Sequence, residues 1–214
     1  MKKRKALIVV DVQLDFMPGG SLAVPEGDKV VPVINKLLPE FDLVIFLKDW
    51  HDPEMEAFAS QHEGAKPFDK YWPLMRNGSD YEPDTQETLW PDHCIANTPG
   101  ADFHPDLDFG KCAKDFYIFK KGTEKYYHPY SGFRGTELKK FLDERGVTDV
   151  YITGLAGDYC CKDTAIDSVF NGFNTFFIMD AIKFISDNKT ETLVSLYEAN
   201  IKIIESYEIN FSSI

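Results

Sequence analysis

The sequence predicts an α/β protein: a six-stranded, mostly parallel sheet with helices on both faces, in three layers. Three observations carry this prediction. Six short apolar runs of strand length recur along the chain. They are continuous rather than alternating, as in strands buried on both sides. Segments with helical spacing of apolar residues fall between them, the order that builds parallel sheets.

The first run, ALIVVD (Ala6–Asp11), ends in a carboxylate. LVIFLKD (Leu43–Asp49) repeats that pattern, and DFYIFKK (Asp115–Lys121) ends in lysine. DVYITGL (Asp149–Leu155) runs into a glycine-rich turn; NTFFIMDA (Asn174–Ala181) and IKIIES (Ile201–Ser206) complete the set. Helices are predicted over Lys29–Leu38, Thr136–Arg145, Cys160–Phe170 and Thr190–Ala199. In the second, Leu138, Phe141 and Leu142 share one face, and Arg145-Gly146 reads as its stop. Residues 48–114 fit neither pattern and are rich in Pro, Gly, Asp, His and aromatics. So long a connection is expected to hold short helices and to build a site. Residues 1–214 read as a single domain.

Hydrophobic residues make up 43% of the chain, enough for a core, and the net charge is −12. An acidic surface repels phosphate backbones, so nucleic acid is not an expected partner. The basic start MKKRK precedes an apolar run that Asp11 cuts short, unlike a signal peptide. No run approaches the ~20 apolar residues of a membrane span. A cytoplasmic location without membrane contact is expected, with reduced thiols. The cysteines at 94, 112, 160 and 161 form no Cys-x-x-Cys pair. For assembly, an isologous homodimer is the common default.

Open parallel sheets bind ligands at the carboxyl ends of their strands. That rule gathers Asp11, Asp49, Lys121 and the turn before Cys160 onto one rim. A cysteine at a helix start, beside a lysine, gains thiolate character. Asp11 can take its proton, and N–H groups of the turn can hold an oxyanion. By itself Cys160 reads equally well as a small buried hydrophobe. A second constellation is Asp49 and His51, two apart after a strand, with His93 on the long connection. One carboxylate and two imidazoles suit Zn²⁺, Mn²⁺ or Fe²⁺ with open positions. The Asp49/His51 spacing alone does not decide it. His62 and His104 read as surface or packing residues.

Several stretches together resemble the nicotinamidases of the isochorismatase-like cysteine hydrolases. They are LIVVDVQLDFMPGGSLAVPEGD, KDWHDP, FASQH, LWPDHCIANTPGADFHP, FKKG, YSGF and GLAGDYCCKDTAIDS, in the family's order from residue 6 to about 181. The resemblance implies a flavodoxin-like fold and hydrolysis of nicotinamide to nicotinate and ammonia through a cysteine thioester. It makes Asp11 the catalytic acid, Lys121 its lysine and Cys160 the nucleophile, with Asp158 marking the motif and Cys161 left to packing. It implies a cis Leu155–Ala156 peptide and an oxyanion hole from the N–H groups of Ala156 and Cys160. Asp49, His51 and His93 match the ligands of one divalent metal, zinc first and manganese or iron as alternatives, which holds the pyridine nitrogen. Phe16, Trp90 and Tyr130 match the aromatic walls of the substrate pocket, and Tyr159 stands beside the nucleophile.

Two departures stand out. DVQLDF carries Leu14 where the family motif has asparagine, which puts the hydrogen bonding behind the site in question. A fourth metal ligand of some relatives falls by spacing on Met55, a poor ligand for these metals; Glu54, Glu56 or water can take the place, and the fourth ligand stays open. The alternative function is a related cysteine amidohydrolase acting on an N-carbamoyl or ureido substrate, which keeps Asp11, Lys121 and Cys160 but needs no metal. A non-enzymatic thiol sensor built on Cys160-Cys161 is disfavoured, because adjacent cysteines close a disulfide only with strain.

Overall fold

The computed structural model describes residues 4–73, 86–126 and 129–209. Its strands are β1 (Lys5–Val10), β2 (Val44–Asp49), β3 (Lys70–Tyr71), β4 (Glu87–Thr88), β5 (Phe116–Lys121), β6 (Asp149–Gly154), β7 (Asn174–Ile182) and β8 (Lys202–Ile204). Six of them form one sheet in the order β5-β2-β1-β6-β7-β8, and every pairing in it is parallel. Each matches a predicted run to within a few residues.

The alternation along β1 shows how the layers form. Leu7 and Val9 point to one face, and Ala6, Ile8 and Val10 to the other. The first face is covered by α1 (Val30–Leu37), whose Val30, Val31, Ile34 and Leu37 make a buried stripe. Pro32 fits there because first-turn N–H groups have no helical acceptor. The opposite face is covered by α2 (Leu138–Glu144), α3 (Lys162–Phe170) and α4 (Thr190–Glu198), through Leu138, Leu142, Ala165 and Leu196. Gly146 ends α2 at φ +63°, where its N–H and that of Val147 close back on Asp143 and Leu142.

Among the described residues, helices therefore cover the two faces unequally, one against three. The long connection supplies the missing cover, placing Met55, Phe58, Trp90, Ala101 and Leu107 in the same core as α1. Its order comes from the short 3₁₀ turns Ala59–Gln61, Pro99–Ala101 and Phe109–Lys111 and from the two-residue pair β3–β4. Single bridges, His51 to Ile95 and Phe58 to Trp90, tie it to itself. Elements of two or three residues are too short to show a period in sequence.

Candidate active site

Four strand ends build the site. After β1, Asp11 takes a left-handed φ of +49° and turns the chain out of the sheet. β2 ends on Asp49 and β5 on Lys121, and these two are register partners, so an acid and a lysine emerge side by side. After β6 comes a cis Leu155–Ala156 peptide, then a π-turn over Gly157–Cys161 that leads into α3. The regular helix begins at Lys162, two residues later than the sequence predicts, and Cys160 lies in the π-turn before it. Asp158 fixes that turn by accepting hydrogen bonds from Ile185 N (3.0 Å) and Ser186 N (2.8 Å).

The buried Lys121 ammonium is the hub. Its Nζ lies 2.9 Å from Asp11 Oδ2, 2.5 Å from Asp49 Oδ1 and 3.3 Å from Cys160 Sγ. Asp49 belongs to two clusters at once. Its other oxygen, Oδ2, faces His51 Nε2 at 3.4 Å and His93 Nε2 at 4.0 Å. The far ring nitrogens, Nδ1 of His51 and Nδ1 of His93, lie 2.9 Å from Gly122 O and 2.8 Å from Pro91 O. A carbonyl can only accept, so Nδ1 carries the hydrogen in both rings and Nε2 presents its lone pair. Gly122, at φ +65°, lets the His51 ring lie against its backbone; a Cβ there would come within 2.3 Å of ring carbon Cε1.

Burial sets the electrostatics. It raises Asp11 from 3.8 to about 7, with Asp49 adding to the effect and Lys121 and the Cys160 hydrogen bond opposing it. Burial opposes the Lys121 charge, yet Asp11, Asp49 and Cys160 outweigh it and hold the ammonium well above its ordinary value. His93 is pushed down to about 4 by burial and by His51, which keeps its imidazole neutral for ligation. For Cys160 the sequence expectation of a favoured thiolate is not met. Burial raises the thiol well above its ordinary value, Lys121 opposes this, and the two carboxylates reinforce it. A thiol raised in this way becomes nucleophilic only with a base beside it.

Asp49, His51 and His93 fit a divalent cation. Their ligand atoms all lie within 4.8 Å of one another and all three residues are buried. The donor set is one carboxylate and two neutral imidazoles with oriented Nε2 atoms. Neither Glu54 nor Glu56 joins this group among the described residues. Glu54 instead pairs with Lys125 at 2.5 Å, and Met55 is buried in the core.

A pocket opens over Cys160. Phe16, Trp90 and Tyr130 line it, as do Leu22, Tyr159 and Ile185, with Asp49, His93, Ala156 and Cys160 also contributing. Trp90 Nε1 donates to Tyr130 Oη at 3.0 Å and its ring meets Tyr159 edge-on at 4.9 Å. Sequence reading missed Leu22 and Ile185; the latter arrives only through the Asp158 contacts, which leave no sequence signal. The Ala156 N–H has no acceptor among the described residues. Leu14 contributes its backbone N–H, donated to Asp102 O at 2.9 Å. The hydrogen bonds behind the site come from its neighbours Gln13 and Asp15.

Comparison with known proteins agrees with this geometry. The isochorismatase domain family matches residues 5–206. The chain belongs to the isochorismatase family. A family relative, the nicotinamidase of Acinetobacter baylyi, is 40% identical over 189 residues, covering 86% of this chain and 83% of that protein. The solved yeast nicotinamidase bound to the inhibitor nicotinaldehyde superposes with a TM-score of 0.85 at 30% identity, covering 94% of this chain and 99% of that one. The pyrazinamidase of Pyrococcus horikoshii in complex with zinc does so with a TM-score of 0.76 at 37% identity, covering 94% and 99%. The six-stranded parallel sheet with its helices is the isochorismatase-like α/β fold of these structures.

Proposed function

We propose that this isochorismatase-family protein is a nicotinamidase, hydrolysing nicotinamide to nicotinate and ammonia through a thioester on Cys160. The observation that carries the reading is the double use of Asp49. One oxygen binds the Lys121 hub that also holds Asp11 and Cys160; the other faces the two histidines. A nucleophile and a ligand cluster thus share one carboxylate in one apolar pocket. N-carbamoyl chemistry has no use for the second cluster. The relatives named nicotinamidase support the same choice. All residues given a role lie between Asp11 and Cys160, and we take residues 1–214 as one domain; 1–3 and 210–214 lie outside the described residues.

In this mechanism the pyridine ring lies among Phe16, Trp90 and Tyr130, with its carboxamide over Cys160. Asp11, as the carboxylate, takes the Sγ proton, and Lys121 stabilises the thiolate formed. Sγ attacks the amide carbon. The oxyanion lies on the N–H groups of Ala156 and Cys160. Asp11 returns the proton to the amine and ammonia leaves. Asp11 then takes a proton from water, whose oxygen attacks the thioester; as the C–S bond breaks Asp11 returns that proton to the Cys160 sulfur, and the acid product gives its own proton to solvent and departs as nicotinate. Asp49, His51 and His93 would hold the divalent cation, and when bound it supplies a Lewis-acid anchor for the ring nitrogen. Zinc is the first choice, as in the Pyrococcus complex, with manganese and iron as alternatives. The partner is a small molecule in a cytoplasmic setting; among the described residues no helix is long and apolar enough to cross a membrane.

Two tests belong here. Chelation is expected to reduce ammonia release from nicotinamide at least ~10-fold, with recovery on adding Zn²⁺, Mn²⁺ or Fe²⁺. Activity indifferent to stripped metal, verified by elemental analysis, removes the cation from the account. The second test is the pH profile. Asp11 acts as a base only when ionised, so kcat/KM is expected to rise with pH along a limb ending near pH 7. A cation on Asp49 cancels one cause of the raised value and moves the limb down, toward the ordinary carboxylate range of ~4. A profile with no limb between these bounds contradicts Asp11 as the base.

A further inference from the structure

Gln13 and Asp15 flank the departure at Leu14, and neither touches a ligand atom of the proposed cation site. Gln13 is wholly buried. Its Oε1 accepts from Asp49 N at 2.8 Å, and its Nε2 donates to Asp49 O at 2.8 Å and to Ala101 O at 2.9 Å. The reason lies in the sheet. β1 pairs with β2 only as far as Val10 and Leu47, because Asp11 then turns away. On that side Asp49 has lost its backbone neighbour, and buried peptide groups must be paired. The Gln13 carboxamide takes the place of the missing peptide, offering an acceptor and a donor to one residue.

Asp15 does the same for the second arm. Its Oδ2 accepts from Cys94 N at 2.7 Å, the peptide directly after His93. The carboxylate fits there because residue 100 is glycine: a Cβ on Gly100 would come within 2.1 Å of Asp15 Oδ2. The segment carrying both side chains is itself anchored, by Leu14 N to Asp102 O and His104 N to Val12 O, each 2.9 Å.

We propose that Gln13 and Asp15 are positioning residues of the cation site: Gln13 sets Asp49, and Asp15, admitted by Gly100, sets the His93 turn. The inference rests on the cation reading above. Through backbone contacts alone, one short segment fixes two ligands that come from strand β2 and from the long connection. Asp49 also holds Lys121, so Gln13 bears on the nucleophile as well. Partners behind metal ligands typically matter by ~10–100-fold in affinity.

The test is zinc affinity, measured without substrate by competition with a chromogenic chelator, together with the visible spectrum of the Co²⁺ form. Gln13→Met keeps the size and loses all three hydrogen bonds. Gly100→Ala leaves both clamps chemically intact and displaces the Asp15 carboxylate. Both are expected to weaken zinc binding ~10–100-fold and to alter the Co²⁺ spectrum. Gln13→Glu keeps the acceptor for Asp49 N and is expected to fall between Gln13→Met and wild type. Leu196→Ala, a cavity in the core of the opposite face, lowers Tm and should leave zinc affinity unchanged. Zinc constants within about twofold of wild type in folded Gln13→Met and Gly100→Ala overturn the proposal. So does an equal loss in Leu196→Ala, which marks a purely structural effect. Should Gln13→Met not fold, Gly100→Ala and Gln13→Glu decide alone. Wild-type protein that binds no zinc overturns the cation reading itself, and this inference with it.

Discussion

Cys160→Ala is expected to lower nicotinamide turnover by ~10⁴-fold or more while sparing zinc binding. The size follows from the absence of a substitute. Cys161 is next in sequence but is wholly buried in the core, with Sγ donating toward Thr153 O at 3.8 Å. Only Cys160 lies against the Lys121 ammonium and in the pocket lining. The Cys160 sulfur lies outside the candidate ligand group of Asp49, His51 and His93. Cys161→Ala is the matched control and should keep its rate within a few fold. The comparison uses ammonia release under saturating nicotinamide and zinc content per folded chain. Near-normal turnover by Cys160→Ala ends the thioester mechanism, and loss of activity only in the Cys161 variant moves the nucleophile.

Lys121→Met is expected to damage stability and activity together. The ammonium is wholly buried and holds two buried carboxylates and a thiol. Breaking a buried ion cluster from one side typically costs about 3–5 kcal/mol, because the remaining charges keep their desolvation penalty without their partner. Asp11 and Asp49 already repel each other enough to raise Asp11. Without Lys121 the first proton stays on Asp11 to higher pH, so the activity limb moves up. The rate at neutral pH falls by ~10²–10⁴-fold, the range lost with positioned acid–base groups. A bound cation on Asp49 offsets part of the stability loss, so the metal-free variant suffers most. Denaturant unfolding and the kcat/KM profile read both effects. A variant as stable as wild type, with its limb unmoved, shows that Lys121 is not the electrostatic hub.

What the sequence made legible follows from range. Parallel strands buried on both faces appear as continuous apolar runs, and the rule that sites gather at their carboxyl ends brings Asp11, Asp49 and Lys121 together without coordinates. The register pairing of Asp49 with Lys121 then turns a shared rim into a direct contact. The candidate ligands Asp49 and His51 are local, so spacing raised them, with His93 added from the long connection on its chemistry; the family motif then drew the three together. Quantities that depend on burial were out of reach. The thiol of Cys160 reads as activated from its neighbours in sequence and is held protonated by the apolar surroundings. Gln13 and Asp15 work on backbone groups 36 and 79 residues away, and nothing in residue type or spacing announces such a bond. Ile185, from the segment after β7, lines the pocket for the same reason. The long connection is ordered by turns of three residues, below the length at which periodicity registers.

The measurement that bears most directly on the central claim is ammonia release by the zinc-loaded protein from nicotinamide and, in parallel, from an N-carbamoyl amino acid. The account predicts rapid release from nicotinamide, with nicotinate formed in equal amount, and little from the carbamoyl compound. Release from the carbamoyl compound alone, by protein shown to be folded and metal-loaded, would contradict it.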